Sequence, residues 1–114
     1  MEFTGAIREA KKGTAELVAL AFLNDGPRHG YELAQQIEER SGGALTFNFA
    51  SLYATLYKLE ERKWIQGRWV EKAGQRRRRY YTITSEGREV LAAQRKEWRL
   101  FFELIRDLAG VRYA

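Results

Sequence analysis

Residues 64–84 read WIQGRWVEKAGQRRRRYYTIT, and the fold turns on how this stretch is understood. Its first part, 64–72, is rich in tryptophan and β-branched residues, with Gly67 as an interruption. Its last part, RYYTIT at 79–84, is a second strand-like run, and AGQ between them supplies a turn. Two such runs joined by a glycine-containing turn predict a β-hairpin. Period-two alternation turns Ile65, Tyr81 and Ile83 towards a core. It also sends Arg76 and Arg78 to one face and Arg77 and Arg79 to the other.

The hairpin carries most of the charge asymmetry. Over residues 62–79 eight lysines and arginines face a single acid, Glu71, a local charge of +7. The remaining residues hold twelve basic and fourteen acidic groups, so the whole positive excess of this +5 chain lies in one segment. Charge concentrated in this way is a footprint for a polyanion or, alternatively, a solvated charged loop.

Helices surround the hairpin. TAELVALAFLN (14–24) consists of good helix formers and is apolar almost all round, which predicts a helix buried on most sides. DGPR then stops it. GYELAQQIEERSGG (30–43) predicts a second helix, with Tyr31, Leu33, Ala34 and Ile37 on one side and Gly42 and Gly43 at its end. NFASLYATLYKLEERK (48–63) predicts a third, with Asn48 as N-cap and Leu52, Leu56 and Leu59 as the inward stripe. Thr84 or Ser85 caps a final helix of roughly 25 residues, about 38 Å long.

On that last helix Val90, Leu91, Trp98, Phe101, Phe102, Ile105, Leu108 and Ala109 fill an arc of about 120°, which Ala93, Leu100 and Leu104 widen to about 200°. So wide an apolar arc asks for a second partner, most simply another copy of the chain. The competing reading is a wholly intramolecular core. Three helices, a hairpin and a long helix predict a mainly α fold with a β-hairpin: a winged helix-turn-helix over 1–84, then a C-terminal dimerisation helix over 85–114, in one compact unit. The chain has 114 residues, enough for one domain. It has no cysteine, hence no disulfide and no thiolate metal site. MEFTGAIREAKKGT lacks the apolar core of a signal peptide, and LVALAFL is too short to span a bilayer, which points to a cytoplasmic location and no membrane partner.

Three segments then become specific. GPRHGYELAQQIEERSGG, SLYATLYKLEERKWI and RRRRYYTITSEG, in this order and spacing, resemble the PadR family of bacterial transcriptional regulators over roughly residues 13–110. The length is similar to the short members with one long helix after the wing. The resemblance implies a homodimeric DNA-binding regulator, usually a repressor that blocks a promoter. It also implies that the first and last helices of two subunits intertwine, which places Leu17, Leu20, Leu91, Trp98, Phe101, Phe102, Ile105 and Leu108 at a subunit interface. Some short relatives sense aromatic or drug-like compounds between their subunits, so Trp98 is either dimer core or an effector platform. The sequence departs from the family pattern at Ala54, where proline is frequent. It departs again at Lys63, where glycine often closes the third helix in a left-handed conformation.

In a winged helix-turn-helix the start of the third helix enters the major groove of double-stranded DNA. Asn48, Ala50, Ser51 and Tyr53 are placed for this, with Thr55 and Lys58 further along. Ser51 is equally suited to capping, and Tyr53 and Tyr57 to half-buried support. Lys58 suits a phosphate. Tyr31, next to the sole histidine His29, offers a phosphate contact at the start of the second helix. Arg76, Arg77 and Arg78 near the hairpin tip suit the phosphate backbone or a narrow minor groove, whereas Arg79 lies nearer the body. A dimer predicts a pseudo-palindromic operator. The alternative function is a winged-helix protein–protein module without DNA. The sequence shows no nucleophile–base pair, phosphate loop or metal-ligand cluster, which argues against an enzyme, and it calls for no cofactor.

Overall fold

A computed structural model describes residues 13–111. Residues 1–12, on which the expectation of no signal peptide rests, and 112–114, the end of the expected dimerisation segment, lie outside them. The described residues form four helices and a small antiparallel sheet: α1 (Thr14–Asn24), β1 (Arg28–His29), α2 (Gly30–Arg40), α3 (Phe49–Glu61), β2 (Ile65–Val70), β3 (Arg78–Ile83) and α4 (Ser85–Ala109).

The apolar first helix sits where its composition requires. Ala19, Leu20 and Leu23 are buried, and α1 touches α2, α3, α4 and β3. The core closes around it with Leu33 and Ile37 from α2, Leu52, Leu56 and Leu59 from α3, Ile65 from β2, Tyr81 and Ile83 from β3, and Leu91 from α4. Leu20 and Leu91 therefore correct the sequence reading. The chain covers both completely, at 0% and 2% exposure, leaving neither as surface for a second subunit.

The sheet has three strands, in the order β1-β3-β2, where a two-stranded hairpin is predicted. The added strand is two residues long, with Arg28 opposite Tyr81 and His29 opposite Tyr80. The hairpin itself runs in register from Ile65 opposite Ile83 to Val70 opposite Arg78. Pro27 follows the end of α1, and Arg28 ties the bend together. Its guanidinium donates to the carbonyls of Phe22 and Gly26 and to the Gln36 side chain.

Helix α2 ends three residues before the predicted limit, because Gly42 and Gly43 both take left-handed φ (62° and 82°). Helix α3 begins as predicted: Asn48 Oδ1 accepts the Ser51 N–H at 2.8 Å. At its far end Lys63 adopts φ 65°, so a lysine takes the left-handed turn where the resemblance leads one to expect glycine. Thr84 is the N-cap of α4, accepting the Gly87 N–H at 3.0 Å. Gly87 is required there: a Cβ would stand 2.0 Å from the Trp64 carbonyl oxygen. Gly110, at φ 70°, closes the 25-residue helix.

Candidate nucleic-acid interface

The first turn of α3 stands clear of the core. Asn48, Phe49, Ala50 and Ser51 are exposed, while Leu52 just behind them is fully buried. Asn48 spends its side-chain oxygen on the cap, and the Ser51 amide is the capped donor, so the Ser51 hydroxyl is not the cap. The Thr55 hydroxyl is turned back to the Ser51 carbonyl at 3.1 Å. Lys58 is exposed one turn further on. Tyr53 is partly a support: its ring lies against the start of α2, where a Cβ on Gly30 would meet its hydroxyl oxygen at 2.5 Å and displace it.

The β2–β3 wing rises beside that turn. Between them lies a cleft of about 450 Å³ lined by the four arginines 76–79 together with His29, Tyr53, Trp69 and Tyr81. The arginines divide by role. The Arg79 guanidinium pairs with the Glu60 carboxylate, and the same carboxylate accepts the Gly67 N–H at 3.3 Å. Gly67 leaves the space that the Arg79 guanidinium occupies: a Cβ there would fall 2.5 Å from Arg79 Nε and push this side chain aside. Arg79 is thus fastened to the body of the domain. Arg77 lies over the Trp69 ring at 4.8 Å, and Arg79 reaches the same ring at 5.7 Å. Arg78 is turned instead to Tyr31, 5.9 Å from its centroid. This division of Arg77 and Arg79 from Arg78 follows the alternation of the strand.

Aromatic rings connect the sheet to α3. His29 meets Tyr80 edge-on at 5.2 Å and Tyr31 at 6.5 Å, and Tyr31 stacks on Phe49 at 5.9 Å. His29 is the N-cap of α2, with Nδ1 accepting the Glu32 N–H at 3.2 Å, so the neutral ring carries its proton on Nε2. Burial lowers its pKa below the ordinary 6.5; nearby Glu32 opposes this, and Arg78 and Lys72 reinforce it. Burial, with Glu60 close by, raises that of Tyr81. The histidine is therefore a structural cap facing a cationic wing. Among the described residues no group of three or more His, Cys, Asp or Glu could hold a metal ion.

Sequence reading missed Phe49 and Trp69 as site residues. Trp69 shares the core-facing alternation of Ile65 but lies beyond the end of the core and is 52% exposed. Phe49 continues the Leu52–Leu56–Leu59 stripe at a spacing of three, so its pattern reads as core, but it stands in the first turn of α3, beyond the core, and is 49% exposed.

A second surface lies along α4. Beyond Leu91 the helix leaves the core: Leu100, Phe101, Phe102, Leu104, Ile105 and Leu108 are all exposed. Trp98 is half-buried and forms an edge-to-face cluster with Phe101 and Phe102, at 6.4 and 5.8 Å. Leu17, on α1, is only partly buried against the core. Of the eight residues expected at a subunit interface, the single chain thus leaves six with accessible surface. Among the described residues no helix is long and apolar enough to cross a membrane.

Comparison with known proteins agrees with this geometry. A transcriptional regulator from Clostridium thermocellum is 27% identical, with a TM-score of 0.80 over 92% of this chain and 95% of that one. A PadR family transcription regulator from hypervirulent Clostridium difficile R20291 is 25% identical, with a TM-score of 0.77 over 86% of this chain and 100% of that one. Bacillus subtilis PadR, solved in complex with operator DNA, shares the fold at 23% identity and a TM-score of 0.64, over 73% of this chain and 48% of that one. The sequence pattern of the transcriptional regulator PadR-like family matches residues 19–93, most of the described chain. With its winged helix, its basic wing and that match, the chain belongs to the PadR-like family, whose members are transcriptional regulators and not enzymes.

Proposed function

We propose that the chain is a homodimeric, sequence-specific DNA-binding repressor that acts in the cytoplasm by blocking a promoter. The observation that carries the reading is the cleft between α3 and the wing, lined by Arg76, Arg77, Arg78 and Arg79. A duplex laid there meets α3 in its major groove and the wing at the flanking phosphates. Asn48, Ala50, Ser51 and Tyr53 face the bases, and Tyr31, Lys58, Arg76, Arg77 and Arg78 face the backbone. Bacillus subtilis PadR, which shares the fold and was solved with operator DNA, supports the same partner here.

The solvent-accessible apolar surface of α4, with Leu17 of α1, supports pairing with a second copy through Leu17, Trp98, Phe101, Phe102, Ile105 and Leu108. Two such subunits present two α3 helices to a pseudo-palindrome with half-sites about 10 base pairs apart. The Trp98–Phe101–Phe102 cluster then offers a platform for a flat aromatic or drug-like effector that releases the DNA. One turn away, Gln94 Oε1 is buried with no hydrogen bond among the described residues, an acceptor for a polar group of such a ligand. Trp98→Ala is expected to abolish the effector response and leave operator binding intact; loss of the dimer instead would make Trp98 core.

Gel-shift titration at two salt concentrations tests the DNA reading. Arg76 and Arg77 from both subunits neutralise about four phosphates, for a slope of log K against log salt steeper than about −3.5. A flat response would return the chain to the protein–protein alternative.

A further inference from the structure

The first turn of α3 carries an apolar ring that the core does not use. Phe49 is 49% exposed, while Leu52, Leu56 and Leu59 of the same helix are fully buried. Its direction is set from two sides. The Asn48 cap fixes the first turn, with Oδ1 to the Ser51 N–H at 2.8 Å. Tyr31 lies behind the ring, nearly parallel, with centroids 5.9 Å apart and an 18° angle between planes. Arg78 stands on the other partner of that stack, 5.9 Å from the Tyr31 centroid. A braced apolar ring therefore projects from a surface whose neighbours are amide, hydroxyl and guanidinium groups.

Such a ring has nothing to offer a phosphate. In the major groove the apolar feature of the base edges is the 5-methyl group of thymine, and the minor groove has none. We propose that Phe49 is a specificity-determining residue that reads a thymine in each half-site by covering its 5-methyl group. The inference rests on the reading that α3 enters the major groove. The brace from Tyr31 makes the contact selective, because the ring is already held and loses little freedom on binding.

The test uses the full chain. In vitro selection from random duplex DNA defines the preferred site, and each dT in it is then replaced singly by dU, which removes only the methyl group. Burying one methyl group predicts a loss of about fourfold in affinity at one position of each half-site, and about sixteenfold when both are replaced. Phe49→Ala should still bind the selected site but treat dT and dU alike at that position. Phe49→Leu, which keeps apolar surface, should retain the discrimination, and serves if the alanine variant does not fold. Equal affinity for dT and dU at every position, a half-site without thymine, or undiminished discrimination by Phe49→Ala overturns the contact while DNA binding stands. Failure to enrich any sequence overturns the DNA reading and the contact with it.

Discussion

The Arg77 guanidinium lies 4.8 Å from the centroid of the Trp69 ring, across the wing from the strand that carries it. A tryptophan that is half in solvent holds a cation at the mouth of the α3–wing cleft. An exposed cation–π contact of this kind contributes about 0.5–1 kcal/mol. Trp69→Ala is expected to weaken DNA binding by about two- to fivefold through lost positioning of Arg77, equally on specific and unrelated duplexes. Fluorescence anisotropy on both DNAs checks this; a loss confined to one sequence would mean that the wing reads bases.

Substituting Arg76 and Arg77 together by glutamine should lower affinity for all sequences and flatten the salt slope. The proposed contacts take two phosphates per subunit, so the slope should fall in magnitude by about 3.5 in the proposed dimer. Titrations at several salt concentrations give the number, and an unchanged slope assigns these arginines elsewhere.

The apolar face of α4 gives a prediction about assembly. Leu108 is 76% exposed and Phe102 46% in the single chain. Leu108→Glu and Phe102→Glu should each shift the protein towards monomer in sedimentation at micromolar concentration, while circular dichroism stays unchanged because neither side chain belongs to the core. A dimer that survives both changes is not built through this face.

Lys63 holds φ 65° without the freedom of glycine. A left-handed conformation costs an ordinary residue about 1–2 kcal/mol. Lys63→Gly should therefore stabilise the fold by about 1 kcal/mol after the added entropy of the unfolded chain is deducted. For a domain of this size that raises Tm by about 4–8 °C. A lower Tm would show that the lysine side chain contributes more than the strain removes.

His29 gives a pH dependence whose sign follows from its depressed pKa. The folded state disfavours the proton because burial penalises the charge, and because Nδ1 must accept from the Glu32 N–H. Its contribution to stability is complete above the ordinary value of 6.5. It is lost as pH falls from there through the lowered folded value. His29→Asn keeps a capping oxygen and removes the titration, so its stability should fall less than that of the parent between neutral and mildly acid pH. Urea unfolding at a series of pH values compares the two, and parallel curves would remove His29 from the account.

Much of this architecture is written in local pattern. The inward leucines of α3, the Asn48 cap and the length of α4 follow from spacing and capping chemistry, and each stands where the sequence places it. Strand β1 does not, because two residues give no periodicity; Arg28 and His29 become a strand only when β3 is there to pair with them. Leu91 shows the limit of a helical wheel, and Leu20, placed at the interface by the resemblance, meets the same limit. A wheel identifies an apolar direction but not whether the cover comes from the same chain, and here α1 and α4 already pack on each other. The wing arginines were legible as charge, and alternation separated Arg77 and Arg79 from Arg78, but the long-range partners that hold them, Glu60 and Trp69, were not legible. Phe49 shares the face of the inward leucines, and spacing alone cannot tell that the core ends before the first turn of α3.

Thr84 sits where two elements meet. Its hydroxyl caps α4 and lies 2.8 and 3.0 Å from the carbonyl oxygens of Lys63 and Trp64, while its own N–H donates to Trp64 at 3.0 Å. The residues that leave α3 are thus tied directly to the residue that starts α4, and Gly87 lets the two backbones touch. Mechanically this is a clamp at the root of a rod about 38 Å long. A tilt of about 5° at that root moves the far end by about 3 Å, and the reverse also holds. In a pair of chains joined along the rods, the separation of the two α3 helices becomes a readout of the angle between the rods, with Thr84 as the fixed joint.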